Sequence, residues 1–443
     1  MTTRPHLLYV AWAFPPCRAA GVYRALATAN AFRAAGWRVT VLTTTREAYE
    51  RYTGTDDSLE DLVDPEVDVH RVPFTWPAQE TDVRTYSRLR VVLPPLWRRL
   101  RRWADMRDFP EAGYGPWRRD LVRAAREVHR TDPVDLVIST ANPHVTFEAA
   151  RALHREHGVP YVMDYRDAWV LDVFSGRRLH GPRSRQARTE RGLVADAREV
   201  WFVNEPIRQW HAQEHPGAAS RMHVVANGWD PGLTDAMAHA PASPEGPEPS
   251  TAGVRFGYLG TVTPKVPLSE LLAGWRAAVS DGSVPAGSTL EIGGYLGYFA
   301  VPRPEMREAI AAAADVGASY AGPVRKAAVA EFYAHVDALV LALGAGRYVT
   351  SGKVFEYLST GRPIVSVHDP GNAASQVLEG YPLWFPARSL APEDVAAALA
   401  EAARAVVDDD DASRTAALEF AAAFRRDRQL TPRIAALRTA VAR

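Results

Sequence analysis

The sequence predicts an α/β protein of two doubly wound domains facing a central cleft, and three observations predict it. Strand-like apolar runs alternate with helix-like periodicity over the first 230 residues, the alternation stops in a stretch rich in proline and small residues, and it then restarts. Alternation of this kind implies parallel strands joined by crossover helices. At 443 residues the chain also exceeds the ~250 residues that one hydrophobic core supports, so two domains are expected.

The elements follow in order. The run Leu7–Phe14 precedes Pro15, Pro16 and Cys17, where a leader-peptide cleavage site wants small residues, so it reads as the first buried strand. Further strands are expected at Arg38–Thr43, Leu136–Thr140, Tyr161–Asp164 and Glu199–Asn204. The stretch Pro241–Ser250 reads as a linker, with domains at 1–230 and 253–415 around a junction of 231–252. Beyond it come strands at Val254–Tyr258, Ser288–Gly293, Ala318–Ala321, Ala338–Leu343, Pro363–Val367 and Pro382–Phe385. Two terminal helices, Ser413–Arg425 and Leu430–Ala442, follow the acidic run Asp408–Asp411, which reads as a solvated helix cap.

Composition excludes several classes. The 52 basic and 52 acidic residues cancel, against the basic excess of a general nucleic-acid binder. The basic residues are almost all arginine, the only lysines being Lys265, Lys326 and Lys353. A single cysteine, Cys17, rules out an internal disulfide or a cysteine-rich zinc site and fits a reducing compartment. No uninterrupted apolar run approaches the ~20 residues of a membrane span, so a soluble, cytoplasmic protein is expected. The pairs His154/His157 and His211/His215 have metal-like spacings but no third ligand in sight, and read as solvated helix faces.

The most informative stretch is Thr350–Ile364. Ser351 and Gly352 open a helix whose first N–H groups can receive an anion, and Lys353 adds a full positive charge there. Glu356 falls one turn deeper on nearly the same face, where a carboxylate can accept two ribose hydroxyls. Gly361 then ends the helix. A capped helix with a Lys/Glu surface pair is the plain alternative. In the same half, Gly260, Thr261, Thr263 and Lys265 follow a strand as a glycine turn and a cation, suited to a diphosphate. In the first half, Gly21 opens a helix where the backbone can approach a phosphate or sugar, or it is simply a strand–helix turn. His144 stands just past a strand end, as a site residue or as a satisfied loop histidine. Asp164, Arg166, Asp167 and Trp169 crowd another strand end, which is costly unless they bind something or Arg166 pairs with Asp164. The segment Arg84–Arg107 interleaves arginine with Leu, Trp97 and Trp103, as an anionic membrane contact, a lid over an acceptor, or an ordinary docked helix.

In this order along residues 7–365, these motifs resemble the retaining GT-B glycosyltransferases often called family 4, with two Rossmann-like domains. The resemblance implies transfer of a sugar from a nucleotide-sugar, expected to be a UDP-sugar, by a hexosyl- or N-acetylhexosaminyltransferase without metal or other cofactor. It implies that Ser351, Gly352, Lys353, Gly260, Thr261, Thr263 and Lys265 hold the diphosphate, with Gly21 beside the donor. Glu356 would take the ribose, and Gly322 to Val324 would read the base. It places His144 at the donor sugar, gives Asp167 the role of orienting the acceptor nucleophile, and sets Arg166 and Trp169 on the acceptor side. The terminal helix, 416–443, is implied to cross back to the first domain, and Asn227–Pro231 to close that domain. One departure is plain: the first Glu of the family's E-x7-E pattern is Tyr348 here. The acceptor stays open, a small aglycone or a cell-surface glycan or lipid precursor. So do a sugar-nucleotide epimerase of the same fold and a nucleotide-sugar-binding protein without turnover.

Overall fold

The computed structural model describes residues 4–232, 253–297, 303–325, 328–344 and 346–441. Most of the expected linker, 233–252, and Lys326 lie outside the described residues. The chain divides into two units, Met1–Ala226 with Gln429–Arg443, and Asn227–Arg428.

The first unit holds seven strands: β1 His6–Val10, β2 Arg38–Thr44, β3 Val67–Val72, β4 Leu136–Thr140, β5 Tyr161–Tyr165, β6 Glu199–Phe202 and β7 Met222–Val224. They form one parallel sheet in the order β3-β2-β1-β4-β5-β6-β7. Central strands of such a sheet are covered on both faces, so they read as continuous apolar runs. Leu7, Leu8, Tyr9 and Val10 are accordingly all solvent-free. The edge strand β3 alternates charge with valine (Val67-Asp-Val-His-Arg-Val72) and β7 has three residues, which is why neither stood out by composition. The first strand is shorter than expected. Past Val10 the chain stays buried but leaves the sheet, and Tyr49 Oη takes over, accepting from Phe14 N (3.2 Å) and donating to Trp12 O (2.7 Å).

The second unit repeats the plan with β8 Arg255–Leu259, β9 Thr289–Gly293, β10 Ala318–Gly322, β11 Ala338–Ala342, β12 Ile364–Val367 and β13 Trp384–Pro386. The sheet is parallel, in the order β10-β9-β8-β11-β12-β13. One core, built on Phe256, Trp275, Leu290, Ile292, Val340 and Leu399, packs the helices Leu268–Ser280 and Pro392–Asp408 against it. Both sheets reverse direction of growth beside their first strand, between β1 and β4 and between β8 and β11. In open α/β sheets, ligands bind outside the carboxyl ends at such switch points.

The unit boundaries differ from a simple 1–230 and 253–415 division. Trp229 belongs to the second unit, because its N–H donates to Phe424 O (3.0 Å) and its indole Nε1 to Ala421 O (2.8 Å). The helix Asp411–Ala422 stays with that unit, its start capped by Asp410, which accepts from the N–H groups of Ala412 and Ser413. Leu430, Ile434 and Leu437 of the last helix, Arg426–Val441, pack into the first unit's core. No helix among the described residues is long and apolar enough to cross a membrane.

The pair His211/His215 is not a solvated face. His211 is fully buried against Tyr165 and Phe202, and it and His215 turn their Nε2 atoms to Glu190 at 3.6 and 3.7 Å, where Tyr165 Oη also donates (3.0 Å). The i,i+4 spacing shows only that the two share a face; packing on β5 and β6 turns that face inward. Burial alone would raise the Glu190 pKa, but the two imidazoles outweigh it and hold the carboxyl at about 2, against an ordinary 4.5. A depressed carboxyl stabilises above its unfolded pKa and loses that contribution as pH falls through the folded value. Glu190→Gln should therefore lower stability by about 3 kcal/mol at neutral pH. In denaturant titrations the gap to wild type should close as pH drops from 4.5 towards 2.

Candidate active site

At the carboxyl end of the first sheet, strand register sets the constellation. Thr140 pairs with Asp164 across β4 and β5, so the two strands end side by side. Asp164 is buried and fully used: Arg24, on the helix Val22–Ala34, donates Nε to Oδ2 (2.8 Å) and Nη2 to Oδ1 (2.6 Å), and Thr140 Oγ1 adds 2.9 Å to Oδ2. Arg24 Nη1 goes on to Val225 O at 2.9 Å. The alternative of an Arg166–Asp164 pair is not realised, because Arg24 occupies both carboxylate oxygens. Arg166 lies instead against Gly21, where an added Cβ would collide with its Nη1, and it makes no hydrogen bond or ion pair among the described residues. Gly21 thus makes room for a guanidinium at the helix start.

Asp167, one residue on, is partly exposed and accepts from Asn142 Nδ2 (2.8 Å), leaving Oδ1 without a partner among the described residues. His144 sits behind it, only 5 % exposed, with Nδ1 on Glu111 Oε1 (3.0 Å) and Nε2 3.4 Å from Asp167 O. Glu111 also accepts from the N–H groups of His144 (3.0 Å) and Val145 (2.8 Å), which fixes the loop after β4. The imidazole stacks on Trp169 (5.2 Å, 11°), and Trp169 stacks on Phe109 (4.9 Å, 15°), so this tryptophan is 6 % exposed and packs within the unit. Burial works against a charged His144, yet the Glu111 carboxylate prevails and raises its pKa above 6.5. His144, Asp167 and Trp169 therefore come together, and Arg166 and Gly21 meet beside them.

The second unit builds its site from close approaches. Lys353 lies over Gly260, where a Cβ would stand 2.5 Å from its Cε. Gly344, after β11, meets the backbone of Lys265 in the same way at 2.7 Å. Gly294, after β9, approaches the Gly260 carbonyl at φ +119°, and its N–H donates to Gly322 O (2.7 Å). Gly322 has φ +82° with open space where a Cβ would go, and Val324 packs on Gly293. Thr263 Oγ1 accepts from Lys265 N (3.3 Å), Thr261 O accepts from Tyr258 Oη (3.4 Å), and Ser351 Oγ accepts from Lys353 N (3.3 Å). The helix Gly352–Leu358 stops three residues before Gly361 and carries Lys353 and Glu356 one turn apart. Tyr333 Oη donates to Glu356 Oε2 at 2.8 Å, and Tyr357 Oη accepts from Leu259 N at 3.0 Å, so the helix is fastened to the end of β8.

Four residues that hold these groups carried no sequence signal: Arg24, Glu111, Asn142 and Tyr333. Each acts on a partner at least 23 positions away, beyond the reach of any local spacing.

Residues 20–228 match the family model described as a glycosyl transferase 4-like domain. No curated protein matches the chain significantly in sequence. Solved structures with the same fold include a glycosyltransferase from Rickettsia africae ESF-5 (TM-score 0.66, 10 % identity, 99 % of this chain and 98 % of that one). HepE from Anabaena, in complex with UDP, gives a TM-score of 0.60 at 14 % identity over 98 % and 99 %. A putative UDP-N-acetylglucosamine 2-epimerase from Listeria monocytogenes gives 0.56 at 12 % identity over 99 % and 97 %. At these identities the likeness establishes the fold, the two-domain GT-B arrangement of Rossmann-like units.

Two glycines should behave differently. Gly260→Ala meets the flexible end of Lys353, which can swing aside, so it should leave the melting temperature nearly unchanged. Gly294→Ala meets a backbone carbonyl at positive φ and should lower the melting temperature itself. Glu111→Gln should show a stability deficit largest below pH 6.5, because a raised histidine pKa stabilises there and the contribution fades as pH rises through the folded value. A residual deficit should persist at high pH, since the carboxylate also holds two backbone N–H groups.

Proposed function

We propose, because residues 20–228 match the model of a glycosyl transferase 4-like domain, that the protein is a retaining, metal-independent glycosyltransferase using a UDP-sugar. The observation that carries this reading is the second unit's arrangement of Lys353 over Gly260, Lys265 against Gly344, and Glu356 held by Tyr333. Two cations beside crowded glycine backbone suit a diphosphate, and a carboxylate one turn deeper suits the ribose diol. Gly322, with open space beside it, and Val324 form the base-reading edge.

Chemically, the anomeric C–O bond to the diphosphate breaks as an acceptor oxygen bonds the same carbon on the same face, and the acceptor proton passes to the departing phosphate oxygen. Lys265 and Lys353 stabilise the charge that develops on that phosphate, the work a divalent metal does elsewhere. On the first unit, Asp167 and Arg166 are the groups offered to the acceptor. His144, with both nitrogens engaged, acts as the support of Asp167, and Trp169 as the support of His144. The protein is proposed to work in the cytoplasm.

Thermal stabilisation by UDP, GDP, ADP and TDP tests the reading. UDP should raise the melting temperature selectively, and Glu356→Ala and Lys265→Ala should each abolish most of the shift. No shift with any nucleotide would refute it. Incubating the protein with UDP-sugar and no acceptor separates the alternatives: an epimerised nucleotide-sugar would identify an epimerase. Tight UDP binding with no turnover across acceptors would identify a binding protein, the outcome that Tyr348 in place of a carboxylate would explain.

A further inference from the structure

The helix Pro94–Asp108 is amphipathic the wrong way round for a docked surface helix. Its acid Asp105 is buried against its own unit, accepting from Gly113 N (3.2 Å) and Arg101 Nε (2.6 Å). Leu96, Leu100 and Trp103, at spacings of four and three, share the opposite face and are 44 %, 48 % and 68 % exposed. Val83, Val91, Val92 and Leu93, in the chain just before this helix, are exposed too, so seven of the fourteen large exposed hydrophobic residues among those described lie within 83–103. Scattered exposed hydrophobics need no explanation, but Leu96, Leu100 and Trp103 share one helix face, and such a face marks a contact surface.

Charge identifies what would cover it. Residues 84–107 contain eight arginines and one acid, the buried Asp105. Arg98, Arg99, Arg102 and Arg107 pair with no carboxylate among the described residues. Arg99, Arg102 and Arg107 join Trp103, Met106 and Arg185 around a groove of about 400 Å³, the size and charge for a phosphodiester headgroup. The helix end is fixed, because Arg185 donates to Met106 O (2.5 Å) and Arg107 O (2.7 Å), so the stripe is held facing out.

We propose that Val83–Arg107 is a docking surface for an anionic lipid bilayer, with Leu96, Leu100 and Trp103 entering the interface and the arginines meeting lipid phosphates. This goes beyond the donor-site reading and does not depend on it. Arginine and aliphatic residues beside tryptophan are the combination that lies in a membrane interface without spanning it.

Co-sedimentation of the full chain with vesicles tests it. Vesicles of phosphatidylcholine with phosphatidylglycerol should bind the protein, phosphatidylcholine alone should not, and added salt should weaken binding. The double variant Arg99→Gln/Arg102→Gln should weaken it about fivefold for each charge removed. Leu100→Ser/Trp103→Ser should weaken it at least about tenfold. These side chains are largely exposed, so the melting temperature should stay at the wild-type value in both variants. Absence of binding to the anionic vesicles, or binding undiminished in both variants, overturns the proposal. A dimer in solution that dissociates in Leu100→Ser/Trp103→Ser also overturns it, by assigning the face to a second copy.

Discussion

A carboxylate removed from water has to be paired, and in the first unit that requirement fixes the site. Asp164 is buried at the end of β5, and Arg24 meets both of its oxygens while also holding Val225 O. One guanidinium thereby ties the first helix, β5 and the chain at residue 225 together, and Thr140 Oγ1 adds β4 through the same carboxylate. Removing either partner would strand the other charge, the costliest kind of defect in a protein interior. Because Asp164 is consumed in this way, Arg166 and Asp167 Oδ1 are left without a partner among the described residues at the same strand end. Behind them, Glu111, His144, Trp169 and Phe109 form a backing of an ion pair and stacked rings.

The second unit solves the same positioning problem by leaving side chains out. Gly260, Gly294 and Gly344 allow loops from three strand ends to come within contact of one another and of two lysines. A substitution in this region is therefore felt either by a mobile lysine chain or by the backbone, depending on which glycine changes. The fastening of Glu356 and Tyr357 to neighbouring elements limits how far the two-turn helix can shift.

The outward stripe on the Pro94–Asp108 helix is connected to this machinery by chain. The helix runs directly into Phe109 and Glu111, the residues that stack on Trp169 and hold His144. The stripe proposed to meet a bilayer and the residues that back His144 and Trp169 are thus consecutive segments of one chain.

The sequence by itself determined the fold class and the parallel character of both sheets. Central parallel strands are buried on both faces, so their apolar runs are visible without knowing their neighbours; β4 spans Leu136–Thr140 as read. The motif around Lys353 and Glu356 was legible for a similar reason, since one helical turn fixes their relation locally. Only the tertiary structure decided who pairs with whom. Arg24 lies 140 residues from Asp164, Glu111 33 from His144 and Tyr333 23 from Glu356, and no local spacing encodes such a meeting. It also decided which way a helix face turns: His211 and His215 share a face by spacing and face inward by packing, while Leu100 and Trp103 share one and face out. Periodicity defines a face, but burial depends on what the rest of the chain places against it.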